Sequence, residues 1–358
     1  MVHGVAHQRP SAKPSPAAER AKRAGTSCCG PWERKMIENP DCLACGRCDW
    51  ERLGERVYRA HQADQRHARQ LEILFAVWAP GTTKFRATFL GCKSCGMMVY
   101  SPRPTAADID AKYRYSPGSA ANVPSRTERP RRTNQRIRRL ESFLSPYLPQ
   151  PPKQCRILDF GGGDGRLLKG YAEQGAACDL IDYVPIPVAG VRHVGSNEND
   201  LPNEPTYDGI VCSHVVEHMA EPHTILTRLR SALKPDGAIY VDVPMEISRE
   251  LPARSEPVTH CNFFIPESLA TLLERSGYRV ETCELTAYPH PDENWKLCAT
   301  AVAKVAGTND HAKRDGFGSL NAYLNPDIRM RLHKTKLQWR NIPRRQIRRL
   351  RSLLLRFR

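Results

Sequence analysis

The sequence predicts an α/β fold built on one open sheet, and three observations carry that prediction. An apolar run of strand length, Arg156 to Phe160, feeds the turn Gly161-Gly162-Gly163-Asp164-Gly165, and a helical pattern from Arg166 to Gln174 follows with Leu167, Leu168 and Tyr171 on one face. About twenty residues past the turn, Cys178 to Asp182 reads as a second buried strand ending in a carboxylate. Strand-like runs then alternate with helical patterns as far as residue 306, as expected of strands joined by crossover helices.

The turn calls for glycine because the chain there takes φ > 0 and because a ligand approaches bare backbone at a helix N-terminus. The dinucleotide fingerprint G-x-G-x-x-G fails, since its third glycine would fall on Arg166, so a pyrophosphate loop is disfavoured. An acid followed by alternate glycines, Asp159, Gly161, Gly163 and Gly165, instead resembles the first motif of the class I S-adenosylmethionine (SAM) methyltransferases. The resemblance implies a Rossmann-like seven-stranded sheet, SAM as cofactor and these four residues as its cradle. Asp182 then stands where such sites place the acid that hydrogen-bonds ribose hydroxyls. A merely solvated acid at a strand end would leave its pairing with the glycine turn unexplained.

Length and charge bound the remainder. The 358 residues suffice for one large domain and a smaller one. A formal charge of +16 predicts an acidic partner: nucleic acid, a nucleotide-linked substrate or an anionic membrane surface. No apolar run approaches the ~20 residues of a membrane span and the N-terminus lacks an apolar signal core, so a cytoplasmic location is expected. In a reducing compartment, thirteen cysteines predict metal ligands or buried thiols rather than disulfides.

Taken in order, residues 1–38 are rich in Pro, Ala, Lys and Arg without hydrophobic periodicity, a composition that predicts a disordered basic tail. Residues 39–115 hold two C-x-x-C-G turns, Cys42/Cys45 and Cys92/Cys95. Each offers two thiolates from one tight turn, and together they predict a tetrahedral zinc site. Cys48 opens a second reading, because Cys42, Cys45 and Cys48 match three ligands of a ferredoxin-type run whose fourth position is Arg52. Between the turns, a polar helical insert and strands at Ile73–Trp78 and Lys84–Leu90 are expected. Pro102-Arg103-Pro104-Thr105 leads into a helix from Ala106 to Tyr113, started by Thr105 and Asp108 in a capping-box pattern. This whole region resembles the N-terminal part of a methyltransferase branch with a zinc-ribbon-like module, a branch that includes sugar C- and O-methyltransferases.

Residues 116–151 read as a linker and a basic amphipathic helix, Thr133 to Leu148, whose arginine face is expected in solvent or against an anionic substrate. The catalytic domain is expected over residues 152–306. Its third strand is Val191–Val194, and the loop Ser196–Asp200 is where relatives contact adenine. A strand over Tyr207–Ser213 delivers His214, Glu217 and His218 to the carboxyl edge of the sheet. That segment resembles the family's fourth motif, which implies Ser213 and His214 at the methionine end of the cofactor and Glu217 and His218 near the acceptor. For the latter two, catalysis and a structural pairing of loop to helix both remain open.

A fifth strand, Ala238–Val243, follows the turn Lys234–Gly237, and Tyr278–Leu285 with Trp295–Val305 closes the sheet as an antiparallel pair. His260-Cys261-Asn262-Phe263-Phe264 resembles the H-x-N-F-F stretch of the branch, in which the matching histidine of sugar-methylating relatives is a base. The motif often has Glu before the histidine; here it is Thr259, so a base and a loop-fixing histidine both stay possible. Residues 307–358 are expected to form a basic tail, partly helical. Asn341 to Arg358 either lies on anionic lipid or partner acids such as nucleic acid, or docks on the core with its arginines outward. The resemblance implies methylation of a small molecule such as a sugar or nucleotide-linked sugar. RNA or protein methylation, using the zinc module and basic tails, is the alternative.

Overall fold

Two sheets organise the residues that the computed structural model describes: 36–38, 40–61, 67–115, 130–183, 186–247, 256–288, 296–306 and 315–325. The smaller is antiparallel and begins with β1 (Trp50–Arg59), β2 (Lys84–Cys92) and β3 (Met98–Ser101). Along β2 the inward positions Phe85, Ala87 and Phe89 are buried, the period-two pattern of a half-covered strand. The strand expected at Ile73–Trp78 is a helix instead. There α1 (Ala68–Ile73) runs on into a π-helical turn over Leu74–Trp78. A short apolar run fits either period, and the helix prevails because Leu71, Leu74 and Trp78 share one face and pack together with Phe85 and Ile109.

The capping box is present at α2 (Ala106–Tyr115): Thr105 N–H donates to Asp108 Oδ2 at 2.9 Å, and Asp108 N–H donates to Thr105 Oγ1 at 3.2 Å. The basic helix is α3 (Pro130–Leu144), with its last expected turn wound as 3₁₀ over Ser145–Tyr147.

The larger sheet then forms with its helices as β4 (Arg156–Phe160), α4 (Lys169–Glu173), β5 (Ala177–Ile181), β6 (Val191–Gly195), β7 (Tyr207–Ser213), α5 (Pro222–Ala232) and β8 (Leu233–Pro244). After it come β9 (Asn262–Phe263), α6 (Pro266–Arg275), β10 (Tyr278–Tyr288), β11 (Lys296–Val305) and α7 (Gly316–Leu324). The seven strands are ordered β6-β5-β4-β7-β8-β11-β10. From β6 to β8 they are parallel, and β11 runs antiparallel to both neighbours, as expected of the final pair. Because β4 lies between β5 and β7, connections leave it toward opposite sides, and the crevice at its carboxyl end is where open α/β sheets bind ligands. All seven residues of β7 are buried, which a strand covered on both faces requires.

The sheets are not independent. β9, from the His260–Phe264 stretch, pairs with β3 and completes the small sheet in the order β1-β2-β3-β9. Phe263 packs its ring 5.4 Å from Tyr100 and 6.1 Å from Phe89. Regular structure also continues past Gly307, where the sequence loses its pattern. In α7, Leu320 and Leu324 enter the same core as Leu74 and Phe89, and a Cβ on Gly96 would lie 2.2 Å from the Gly316 carbonyl. The N-terminal tail to residue 35, most of the linker and the Asn341–Arg358 helix lie outside the described residues.

Candidate active site

The glycine turn leaves β4 with Gly161, Gly163 and Gly165 all at φ between 66° and 73°, a region closed to most side chains. A Cβ on Gly163 would point into open space, whereas one on Gly162 would collide at 2.1 Å with the Asp159 carboxylate beneath it. Asp182, one residue past β5, accepts a hydrogen bond from Gly163 N–H at 2.8 Å, tying the second strand to the turn. Asp159 is fully buried, and neither carboxylate oxygen has a hydrogen-bond partner among the described residues. Burial pushes its pKa up to about 7, with Asp182 and Asp164 adding to the rise and Arg136 opposing it. An open, bare-backbone cradle over an acid without a partner is a fit for a cationic ligand such as SAM.

Ser213 and His214 stand at the end of β7, beside this turn in the sheet. His214 takes φ 60°, unusual for a residue with a Cβ and typical of strained functional positions. Its ring lies 3.5 Å from Glu217 and 3.8 Å from Asp242. The arginine face of α3, expected in solvent or against substrate, reaches this edge instead. Arg139 pairs with buried Asp242, which also accepts from Thr300 Oγ1 at 2.8 Å, and Arg136 Nη2 lies 3.4 Å from Ser213 Oγ. The sequence signal was an acid, Asp242, inside the apolar run of β8; such an acid demands a cation partner. In the loop expected to meet adenine, Asn197 and Asp200 cap the 3₁₀ turn Glu198–Asp200.

Glu217, His218 and His260 come together, with one ligand-type atom of each within 4.8 Å of the others. Nδ1 of His218 lies 2.6 Å from the Thr259 carbonyl, so that nitrogen carries the proton. Burial, then the nearby charges of His260 and Lys112, hold its pKa well below the ordinary histidine value, so His218 is neutral near pH 7. His260 Nδ1 lies 2.7 Å from Glu246 Oε2. The sequence offered no carboxylate partner for His260, since Thr259 replaces the usual Glu. The structure supplies one from two residues past β8, fourteen positions away, which no local motif could reveal. Neutral His218, with its proton on Nδ1, turns Nε2 toward Glu217 Oε1 at 3.7 Å, and His260 holds a carboxylate at Nδ1, a pairing that suits an imidazole to taking a proton. A cavity of about 290 Å³ opens beside His218, walled by Ile73, Lys112, Tyr113, His218, Val258 and Thr259.

Residues 131–282 match a family model described as a methyltransferase domain. The chain carries a SAM-dependent methyltransferase domain. It is 28% identical over 179 residues to a ubiquinone biosynthesis O-methyltransferase of Xylella fastidiosa, covering 42% of this chain and 70% of that protein. The human mitochondrial ubiquinone biosynthesis O-methyltransferase is 25% identical over 227 residues, covering 52% and 62%. Among solved structures, a Burkholderia thailandensis 1,6-didemethyltoxoflavin-N1-methyltransferase with bound S-adenosylhomocysteine is similar at 19% identity over 59% of this chain and 96% of that one, with a TM-score of 0.45. That likeness is too distant to speak to activity.

The methyltransferase also gathers its four paired cysteines. Cys42, Cys45, Cys92 and Cys95 place their sulfurs within 4.8 Å of one another, with Cys42 to Cys95 and Cys45 to Cys92 both at 3.5 Å. Sulfurs at ~2.3 Å from a common tetrahedral centre lie ~3.8 Å apart, so the set fits zinc. The two turns share one geometry: Gly46 N–H donates to the Cys42 carbonyl at 2.7 Å and Gly96 N–H to the Cys92 carbonyl at 2.9 Å. Cys48 is exposed and outside the cluster, against the ferredoxin-type reading. No helix among the described residues is long and apolar enough to cross a membrane.

Proposed function

We propose that the enzyme methylates a hydroxyl oxygen of a small molecule held in the cavity beside His218 and His260. The observation that carries this reading is the His260–Glu246 pair, whose imidazole lies 4.7 Å from that of His218 on the cavity wall. Bound SAM supplies a methyl group on positively charged sulfur, open to in-line displacement. The chain's residues then have two tasks, alignment and proton removal. Gly161, Gly163 and Gly165 cradle the cofactor, Asp182 takes its ribose, Asp159 offers negative charge below the turn, and Ser213 with His214 borders the methionine end. His260 accepts the hydroxyl proton at Nε2 while Glu246 stabilises the resulting imidazolium. His218 and Glu217 shape the wall next to it.

O-methylation is supported by the relatives named above, which are O-methyltransferases of ubiquinone biosynthesis. A sugar or nucleotide-linked sugar hydroxyl is one acceptor class for this reading, and a phenolic hydroxyl is the other. Cys42, Cys45, Cys92 and Cys95 hold a structural zinc that fastens the small sheet. The test is to incubate the protein and methyl-labelled SAM with cell extract separated into small molecules, RNA and protein. Label in the small-molecule fraction is expected; label confined to RNA or protein would favour the alternative acceptor.

A further inference from the structure

A cation without an ion-pair partner among the described residues lines the cavity. Lys112, in the last turn of α2, donates from Nζ to the Val258 carbonyl at 2.8 Å and stands 5.1 Å from the Tyr113 ring centre. These contacts use one of its three donor hydrogens and supply no counter-charge. Among the described residues no carboxylate forms an ion pair with it. Of the acidic groups that it feels, the Cys261 thiol acts ahead of Glu256, whose Oε2 accepts from Val258 N–H at 2.6 Å and Thr259 N–H at 3.0 Å. The other cationic residue of the cavity, Arg69, is neutralised by Glu72 at 2.8 Å. Burial holds the Lys112 ammonium below its ordinary value, as expected of a desolvated charge lacking a partner.

The surroundings of Lys112 connect it to the reacting groups. Its charge is felt at His218 on the same cavity wall, and Thr259 of that wall directly precedes His260. The neighbouring Tyr113 ring lies 5.7 Å from that of Tyr183, the residue after Asp182. Tyr113 and His218, both of the cavity wall, thus link it to the residue after Asp182 and to the histidine pair.

We propose that Lys112 receives an oxyanion of the acceptor, a carboxylate or a phosphate, and so anchors the molecule with its hydroxyl beside His260. The placement of the hydroxyl rests on the methyltransferase function proposed above; the anion site does not. The test uses the full chain with zinc retained, following the imidazole NMR signals of His218 and His260 during titration with benzoate, inorganic phosphate or neutral benzyl alcohol. At least one anion should give saturable shifts with a dissociation constant roughly tenfold or more below that of benzyl alcohol. Benzoate or phosphate binding more tightly tells which oxyanion the site prefers. The preference should vanish in Lys112→Met and persist in Lys112→Arg. Two results would overturn the proposal: no saturable shift with either anion in the wild type, or an anion preference that survives Lys112→Met. A parallel titration with S-adenosylhomocysteine reports on the cofactor site alone, so failure there leaves the anion result readable.

Discussion

Replacing Asp159 by Asn removes the one carboxylate that the fold buries under the glycine turn without a hydrogen-bond partner among the described residues. Its pKa is raised from the ordinary 3.8 to about 7 by burial. The folded state therefore binds this proton more tightly than the unfolded chain does. Stability from that proton is fully present below the unfolded pKa and is lost as pH rises through about 7. At 1.36 kcal/mol per pH unit, the interval corresponds to on the order of 4 kcal/mol, an upper bound if water enters the turn. Asn carries no such titration. Urea unfolding at pH 4, 6 and 8 should therefore show wild type and Asp159→Asn diverging as pH rises, with the variant the more stable at pH 8. Without its negative charge, the variant should also bind SAM about tenfold more weakly. Gained stability with lost affinity is the trade expected when a site holds an unfavourable charge for its ligand. Parallel stability curves across that range would refute the reasoning.

Asp182→Ala should weaken SAM binding by about 1.5–3 kcal/mol through loss of a charge-assisted hydrogen bond, and an unchanged calorimetric affinity would remove Asp182 from the ribose role. Purified protein should carry one zinc per chain, and chelation should unfold the small sheet, since thiolate sites couple metal binding to folding by roughly 10–16 kcal/mol in zinc-finger peptides. A metal-free, folded small sheet would refute the zinc assignment, and brown protein would point to an iron–sulfur cluster.

The features legible in the sequence are those set by local pattern. The strand–glycine–helix unit at residues 156–173 and the carboxylate after β5 declare themselves because turn chemistry and period act over a few residues. The paired C-x-x-C-G turns were equally plain, and the structure brings them together across the 46 residues between them. Contacts made by distant segments stayed hidden. Glu246 reaches His260 across a loop, Arg139 turns inward only because Asp242 waits on β8, and β9 joins a sheet begun by β1 some two hundred residues earlier. Ile73–Trp78 failed for a different reason: its apolar run suits both periods, and only the partners Phe85 and Ile109 select the helix.

The most direct test of the proposed chemistry is methyl-label transfer to the small-molecule fraction by wild type and His260→Gln, with SAM affinity and melting temperature measured on the same samples. If Nε2 of His260, oriented by Glu246, takes the acceptor proton, label transfer should fall by roughly 10²–10⁴ in His260→Gln while affinity and melting temperature hold. Near-normal transfer in that variant, or a loss that tracks a lower melting temperature, would contradict the account and leave His260 a residue that fixes the loop between β8 and β9.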